Sequence, residues 1–129
     1  MDTLNIDTLN TTITTYLELL NETDAGRRTA LAEKVWVEDG RWTDPPFEAD
    51  GRAAIVETIG GVQEQFPGHS FRQISGVDMH HDLFRFAWEL VGPDGSVTVT
   101  GIDVGQLADD GRFRRITGFL GDLPAVNAA

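Results

Sequence analysis

Between residues 83 and 91 the side chains alternate strictly: Phe84, Phe86, Trp88 and Leu90 fall on one side, and Arg85, Ala87 and Glu89 on the other. That is the period of a β-strand, whose successive side chains point to opposite faces. A strand with one apolar face must cover that face and leave the other to water or a partner, so this stretch commits the chain to a sheet packed on one side. Its neighbours continue the pattern. Residues 69–77, 96–107 and 112–120 read as strands, and Pro93-Asp94-Gly95 and Asp109-Asp110-Gly111 supply the residues of tight hairpin turns. The second half is therefore expected to be an antiparallel meander.

The first half has another period. Ile6, Leu9, Ile13, Tyr16, Leu17 and Leu20 recur at helical spacing over residues 6–21. Asn21-Glu22-Thr23-Asp24 interrupts them, and Thr23 or Asp24 can cap a second helix that runs to about Trp36. A short extended piece, residues 37–43, leads into Asp44-Pro45-Pro46, where the proline pushes Asp44 out of helical angles and onto a strand end or loop. A third helix opens at Asp50-Gly51, carries Ile55, Ile59, Val62 and Phe66 inward, and stops at Pro67-Gly68. Gly60-Gly61 inside it costs about 1 kcal/mol per glycine relative to alanine and marks a bend or a close contact.

No repeat, linker or low-complexity segment divides the chain, so residues 1–129 are expected to form one domain, closed by a tail over residues 122–129. Helices first and strands after imply an α+β fold: a cone-shaped, curved antiparallel sheet wrapped around three N-terminal helices. A curled sheet under a helical lid leaves a concave pocket.

Charge and composition narrow the partners. The formal net charge is −11, which repels phosphate backbones and anionic lipid, so neither nucleic acid nor a membrane is an expected partner. Cysteine is absent, which removes disulfides and thiolate metal sites. The opening Met1-Asp2-Thr3-Leu4-Asn5 lacks the basic start and apolar run of a leader, and the expected location is the cytoplasm.

Four features carry potential chemistry. Asp103 sits inside a strand, in Gly101-Ile102-Asp103-Val104-Gly105, although aspartate is depleted from strands. Period two puts both glycines on its face, leaving room beside a carboxyl that burial would keep neutral and able to donate to an oxyanion; alternatively that face meets solvent or a second subunit. Asp44 at a strand end suits a general base, or simply makes the Asp-Pro turn. Tyr16 lies on the apolar stripe of the first helix, where its hydroxyl can donate to a bound oxygen or its ring can pack in the core. His80-His81-Asp82 falls where two strands turn; a His/Asp pair suits acid–base work, but turns are solvated. Most of the aromatic residues belong to the core, with Trp42, Phe47, Phe66, Phe86, Trp88 and Phe119 available to line an apolar pocket. No phosphate loop is present, and His80-His81 lacks the helical partner a metal site needs, so no metal is expected.

Taken together, Tyr16-Leu17-Glu18-Leu19-Leu20, Trp42-Thr43-Asp44-Pro45, Asp50-Gly51-Arg52, Gly101-Ile102-Asp103-Val104 and Asp110-Gly111-Arg112 resemble the nuclear transport factor 2-like superfamily over nearly the whole chain. That superfamily, also called a cystatin-like α+β roll, includes the SnoaL-like polyketide cyclases and the ketosteroid isomerases. The resemblance to the isomerases implies that Tyr16 and a protonated Asp103 form an oxyanion hole and that Asp44, before Pro45, moves the proton. Where those isomerases carry a tryptophan on the last strand, this chain reads Gly118-Phe119-Leu120-Gly121, a departure that bears on the substrate more than on the chemistry. The implied activity is cofactor-independent proton transfer through an enolate of a small apolar carbonyl ligand, ending in isomerisation or ring closure. A non-catalytic binding or protein-interaction module on the same fold is the alternative. The resemblance further implies a homodimer through the outer sheet face, which bears Arg85 and Glu89.

Overall fold

The computed structural model describes residues 4–127; Met1-Asp2-Thr3 and the last two residues of the expected tail, Ala128 and Ala129, lie outside it. Three helices and seven strands follow in the order α1 (Ile6–Asn21), α2 (Ala25–Val35), β1 (Trp36–Asp44), β2 (Phe47–Asp50), α3 (Arg52–Gln65), β3 (Ser70–Gln73), β4 (Asp78–His80), β5 (Leu83–Val91), β6 (Val97–Leu107) and β7 (Phe113–Leu120). The first two helices begin at side-chain caps. Asn5 accepts from the Thr8 amide and Asp24 from the Arg27 amide, each at 2.9 Å, and so satisfies donors that the first turn leaves unpaired. α3 starts instead at Gly51, whose φ of 91° a side chain would resist.

The strands form one curved, unclosed sheet in the order β2-β1-β7-β6-β5-β3, with β4 also paired to β5. One pairing departs from the antiparallel expectation: β1 runs parallel to β7, because the chain enters β1 from α2 rather than through a hairpin with its neighbour. The expected strand over 69–77 is shorter, β3 ending at Gln73, and a further strand, β4, follows beyond it after a break. There the Ser75 hydroxyl accepts from the Ala87 amide at 2.7 Å, taking a donor the ladder would otherwise use. β2 answers β1 across Asp44-Pro45-Pro46-Phe47, and Arg41 on β1 pairs with Glu48 and Asp50 on β2.

The inner face of the sheet closes over the α1 stripe of Leu9, Ile13, Tyr16, Leu19 and Leu20. Trp36, Tyr16 and Phe113 meet edge to face at its centre, with Tyr16 and Phe113 centroids 5.2 Å apart and Trp36 and Phe113 5.6 Å apart. The outer face is mixed. Ile102 stands between Ala87 and Phe119 in the pairing register, beside Val104, and the three large residues of this group are exposed. Arg72–Glu89 and Arg85–Asp78 ion pairs flank them. Among the described residues no helix is long and apolar enough to cross a membrane.

Candidate active site

Asp103 points inward from the middle of β6 and is 3% exposed. The register sets Trp88 opposite Gly101, Phe86 opposite Asp103 and Phe84 opposite Gly105. A Cβ on Gly101 would fall inside the Trp88 ring, and one on Gly105 inside the Phe84 ring. The two glycines therefore leave room not for empty space but for the Trp88 and Phe84 rings, one on each side of the carboxyl. The Trp88 indole donates from Nε1 to Asp103 Oδ1 at 3.0 Å, and the Tyr16 hydroxyl donates to Oδ2 at 3.1 Å. Tyr16 is itself held edge-on by Trp36, Phe86 and Phe113.

Asp44 is the last residue of β1, and β7 runs alongside, with Thr43 opposite Thr117. The next β7 residue, Gly118, is also the partner of Asp103. A Cβ on Gly118 would overlap Asp44 Oδ1 and come within 3.1 Å of Asp103 Oδ1. The two carboxyls thus approach each other over the one β7 position that has no side chain to separate them. The sequence reading did not single out Gly118. A glycine inside a strand, where it weakens packing unless something approaches closely, is the signal that could have found it.

Tyr16, Asp44 and Asp103 line one cavity of about 570 Å³. Of the aromatic residues expected there, Trp42, Phe47, Phe66 and Trp88 line it. Phe86 does not: it packs beneath, stacked on Phe84 and edge-on to Tyr16. Phe119 does not either, because it pairs with the outward Ile102 while its neighbour Gly118 pairs with the inward Asp103; it is 60% exposed, and Leu120 lines the cavity in its place. His80 and His81 sit apart, in a second depression shared with Leu4, Ile6 and Asp82, with their Nδ1 atoms 3.0 Å from each other. Among the described residues no cluster of three or more His, Asp or Glu is placed to hold a metal ion.

Burial sets the electrostatics. It raises Asp44 to about 6, and Asp44 Oδ1 is enclosed with no hydrogen-bond partner among the described residues. Burial pushes Asp103 further, to about 7, against the pull of the Trp88 N–H; the Asp44 charge adds to the rise and the Tyr16 hydroxyl opposes it. Burial and the neighbouring Asp103 hold Tyr16 well above its ordinary range, so it stays a donor. Two carboxyls this close favour a state with one proton between them. A bare carboxylate beside a neutral acid and a phenol, in an apolar chamber, can take a proton from a carbon next to a carbonyl and stabilise the oxyanion that forms.

No family model matches the chain, and no curated protein matches it in sequence. Solved structures do. A provisionally assigned isomerase of the SnoaL-like family from Agrobacterium tumefaciens is 35% identical over 88% of this chain and 97% of its own, with a TM-score of 0.83. A nuclear transport factor 2-like protein of unknown function from Exiguobacterium is 19% identical over 87% of this chain and 99% of its own, with a TM-score of 0.69. A provisionally assigned SnoaL-like polyketide cyclase from Jannaschia is 17% identical over 86% of this chain and 85% of its own, with a TM-score of 0.66. The last two likenesses are of fold alone.

Proposed function

This chain belongs to the SnoaL-like family, and from that membership we propose that it catalyses cofactor-independent proton transfer on a small apolar carbonyl compound. The observation that carries the reading is the meeting, in one cavity, of an unpartnered Asp44 carboxylate with the hydrogen-bonded pair of Tyr16 and Asp103. Asp44 takes a proton from the carbon beside the carbonyl. The electron pair moves to oxygen, and the enolate is held by the Tyr16 hydroxyl and neutral Asp103. The proton then returns from Asp44 to another carbon, giving an isomer, or the enolate carbon attacks a second carbonyl and closes a ring, the carbonyl's π pair moving to its oxygen, which takes the proton back from Asp44. No electrons are gained or lost in either course, so no redox group is called for. The isomerase and cyclase assignments of the Agrobacterium and Jannaschia proteins accord with these two outcomes. A cavity of about 570 Å³ is within the usual range for small-molecule sites. We also assign the outer sheet face, centred on Ile102 and Phe119, as the contact of a homodimer.

The test is ultraviolet-monitored isomerisation of a β,γ-unsaturated 3-keto steroid by the wild type and by Asp44→Asn. Loss of the base should reduce turnover by about 10²–10⁴-fold while circular dichroism stays unchanged. Wild-type turnover by the variant would remove Asp44 from the role. A wild type that converts no steroid moves the search to polyketone ring closure with the same base, and failing that, to a binding cavity without chemistry.

A further inference from the structure

Trp88 lines the cavity, and its indole also makes one of the two hydrogen bonds on the buried acid. We propose that Trp88 is a positioning residue that fixes the proton of neutral Asp103 on Oδ2 and so keeps Asp103 from spending that proton on Asp44. The inference rests on the enolate reading for its use in catalysis, but its physical content stands apart from it.

An indole N–H donates and cannot accept, and in a neutral carboxyl the oxygen without hydrogen is the better acceptor. Oδ1 therefore stays an acceptor whatever the charge of Asp103; the Tyr16 hydroxyl can turn, donating to Oδ2 of the ionised carboxylate and accepting from Oδ2–H of the neutral acid, so the proton belongs on Oδ2. Oδ1 is also the oxygen on the Gly118 side, towards Asp44. A proton on Oδ1 would be free to bridge the two carboxyls, and a bridged Asp44 would be a poor base. The indole holds that position. Its ring lies against Gly101, where any Cβ would collide with it, and Phe71 backs it edge-on with centroids 5.4 Å apart, so it has little room to swing away. The titratable groups facing Asp103 are Asp44 from β1 and Tyr16 from α1; β5 presents Trp88, β7 presents Gly118, and α3 lines the cavity with uncharged residues.

The experiment uses the full chain with ¹³C-labelled aspartate carboxyls and the variant Trp88→Phe, which keeps a ring over Gly101 and removes the N–H. Asp44 and Asp103 are assigned through Asp44→Asn and Asp103→Asn, and both titrations are followed by NMR. In Trp88→Phe the Asp103 inflection should rise by about one pH unit and that of Asp44 should fall, as the two acids come to share a proton. Unchanged inflections in a variant with wild-type near-ultraviolet circular dichroism overturn the proposal. The wild type supplies a second reading that does not depend on how the variant folds. The Trp88 Nε1–H resonance should move with the Asp103 inflection and stay flat in Asp103→Asn; a resonance flat in both overturns the proposal too. Neither measurement uses a substrate, so a wild type that turns over neither steroid nor polyketone sinks the enolate reading and leaves this one standing. Where turnover is observed, the alkaline limb of its pH profile should move upward with Asp103 in Trp88→Phe, a response that mere loosening of the fold would not produce.

Discussion

At Asp103 the fold holds an acid in a state that the unfolded chain does not share. Unfolded, the carboxyl loses its proton near 3.8; folded, near 7. Between those values the folded chain binds more protons, so its stability falls as pH rises across the window and levels off above about 7. Asp103→Asn removes this penalty and keeps both contacts, since an amide oxygen can accept from Trp88 and an amide nitrogen can donate to the Tyr16 oxygen. The variant should therefore match the wild type near pH 4 and exceed it by a growing margin up to neutral pH, at most about 4 kcal/mol. Urea denaturation at acidic, neutral and mildly alkaline pH measures the margin, and a margin that does not change with pH would contradict the raised carboxyl. Asp103 was legible in the sequence because an aspartate between two glycines inside a strand breaks a local rule. Gly118 was not, because its meaning depends on two carboxyls brought to it from other strands. Phe119 was misplaced for a similar reason: its aromatic character suggested lining, while its register put it outside.

At the scale of elements, helices and hairpin turns are written in local sequence, and α1, α2 and α3 could be read from spacing and caps alone. β2 could not, because Phe47–Asp50 is four residues long and is defined by pairing with β1. The break between β3 and β4 is likewise made by a contact, Ser75 to Ala87, that no periodicity announces. In α3 the glycine pair divides into two unlike residues. A Cβ on Gly60 would press on the Arg28 guanidinium at 3.2 Å, whereas one on Gly61 would meet nothing within 4 Å, and Gly61 lines the cavity. Gly61 thus serves volume rather than packing. Gly61→Leu should raise the melting temperature slightly, since it recovers up to about 1 kcal/mol of helix propensity. It should also weaken binding of bulky apolar ligands by more binding energy than that gain, leaving compact ones unaffected. Calorimetry with a graded series of apolar ketones checks this, and equal loss across the series would refute it.

At the scale of the molecule, the outer sheet face and the net charge pull in opposite directions. Ile102, Val104 and Phe119 offer apolar area for a second copy, while a formal charge of −11 on each chain resists the approach. Association should therefore tighten as salt screens the repulsion. Phe119→Glu, which sets one more negative charge in the patch, should shift dimer to monomer at micromolar protein without disturbing the cavity behind it. Sedimentation velocity at low and high salt reads both effects; a wild type that is monomeric throughout would dismiss this face as a dimer contact.

The alternation along β6 has a last consequence. Ile102 and Val104 look outward while Asp103, between them, looks into the chamber, so the wall is one peptide layer thick and its two surfaces are interleaved residue by residue. An insertion or deletion of one residue upstream in that strand would turn the acid out to solvent and bring an aliphatic side chain in its place. A lineage built on this strand can therefore explore new ligands and new partners by substitution, one surface at a time, but its length there is frozen.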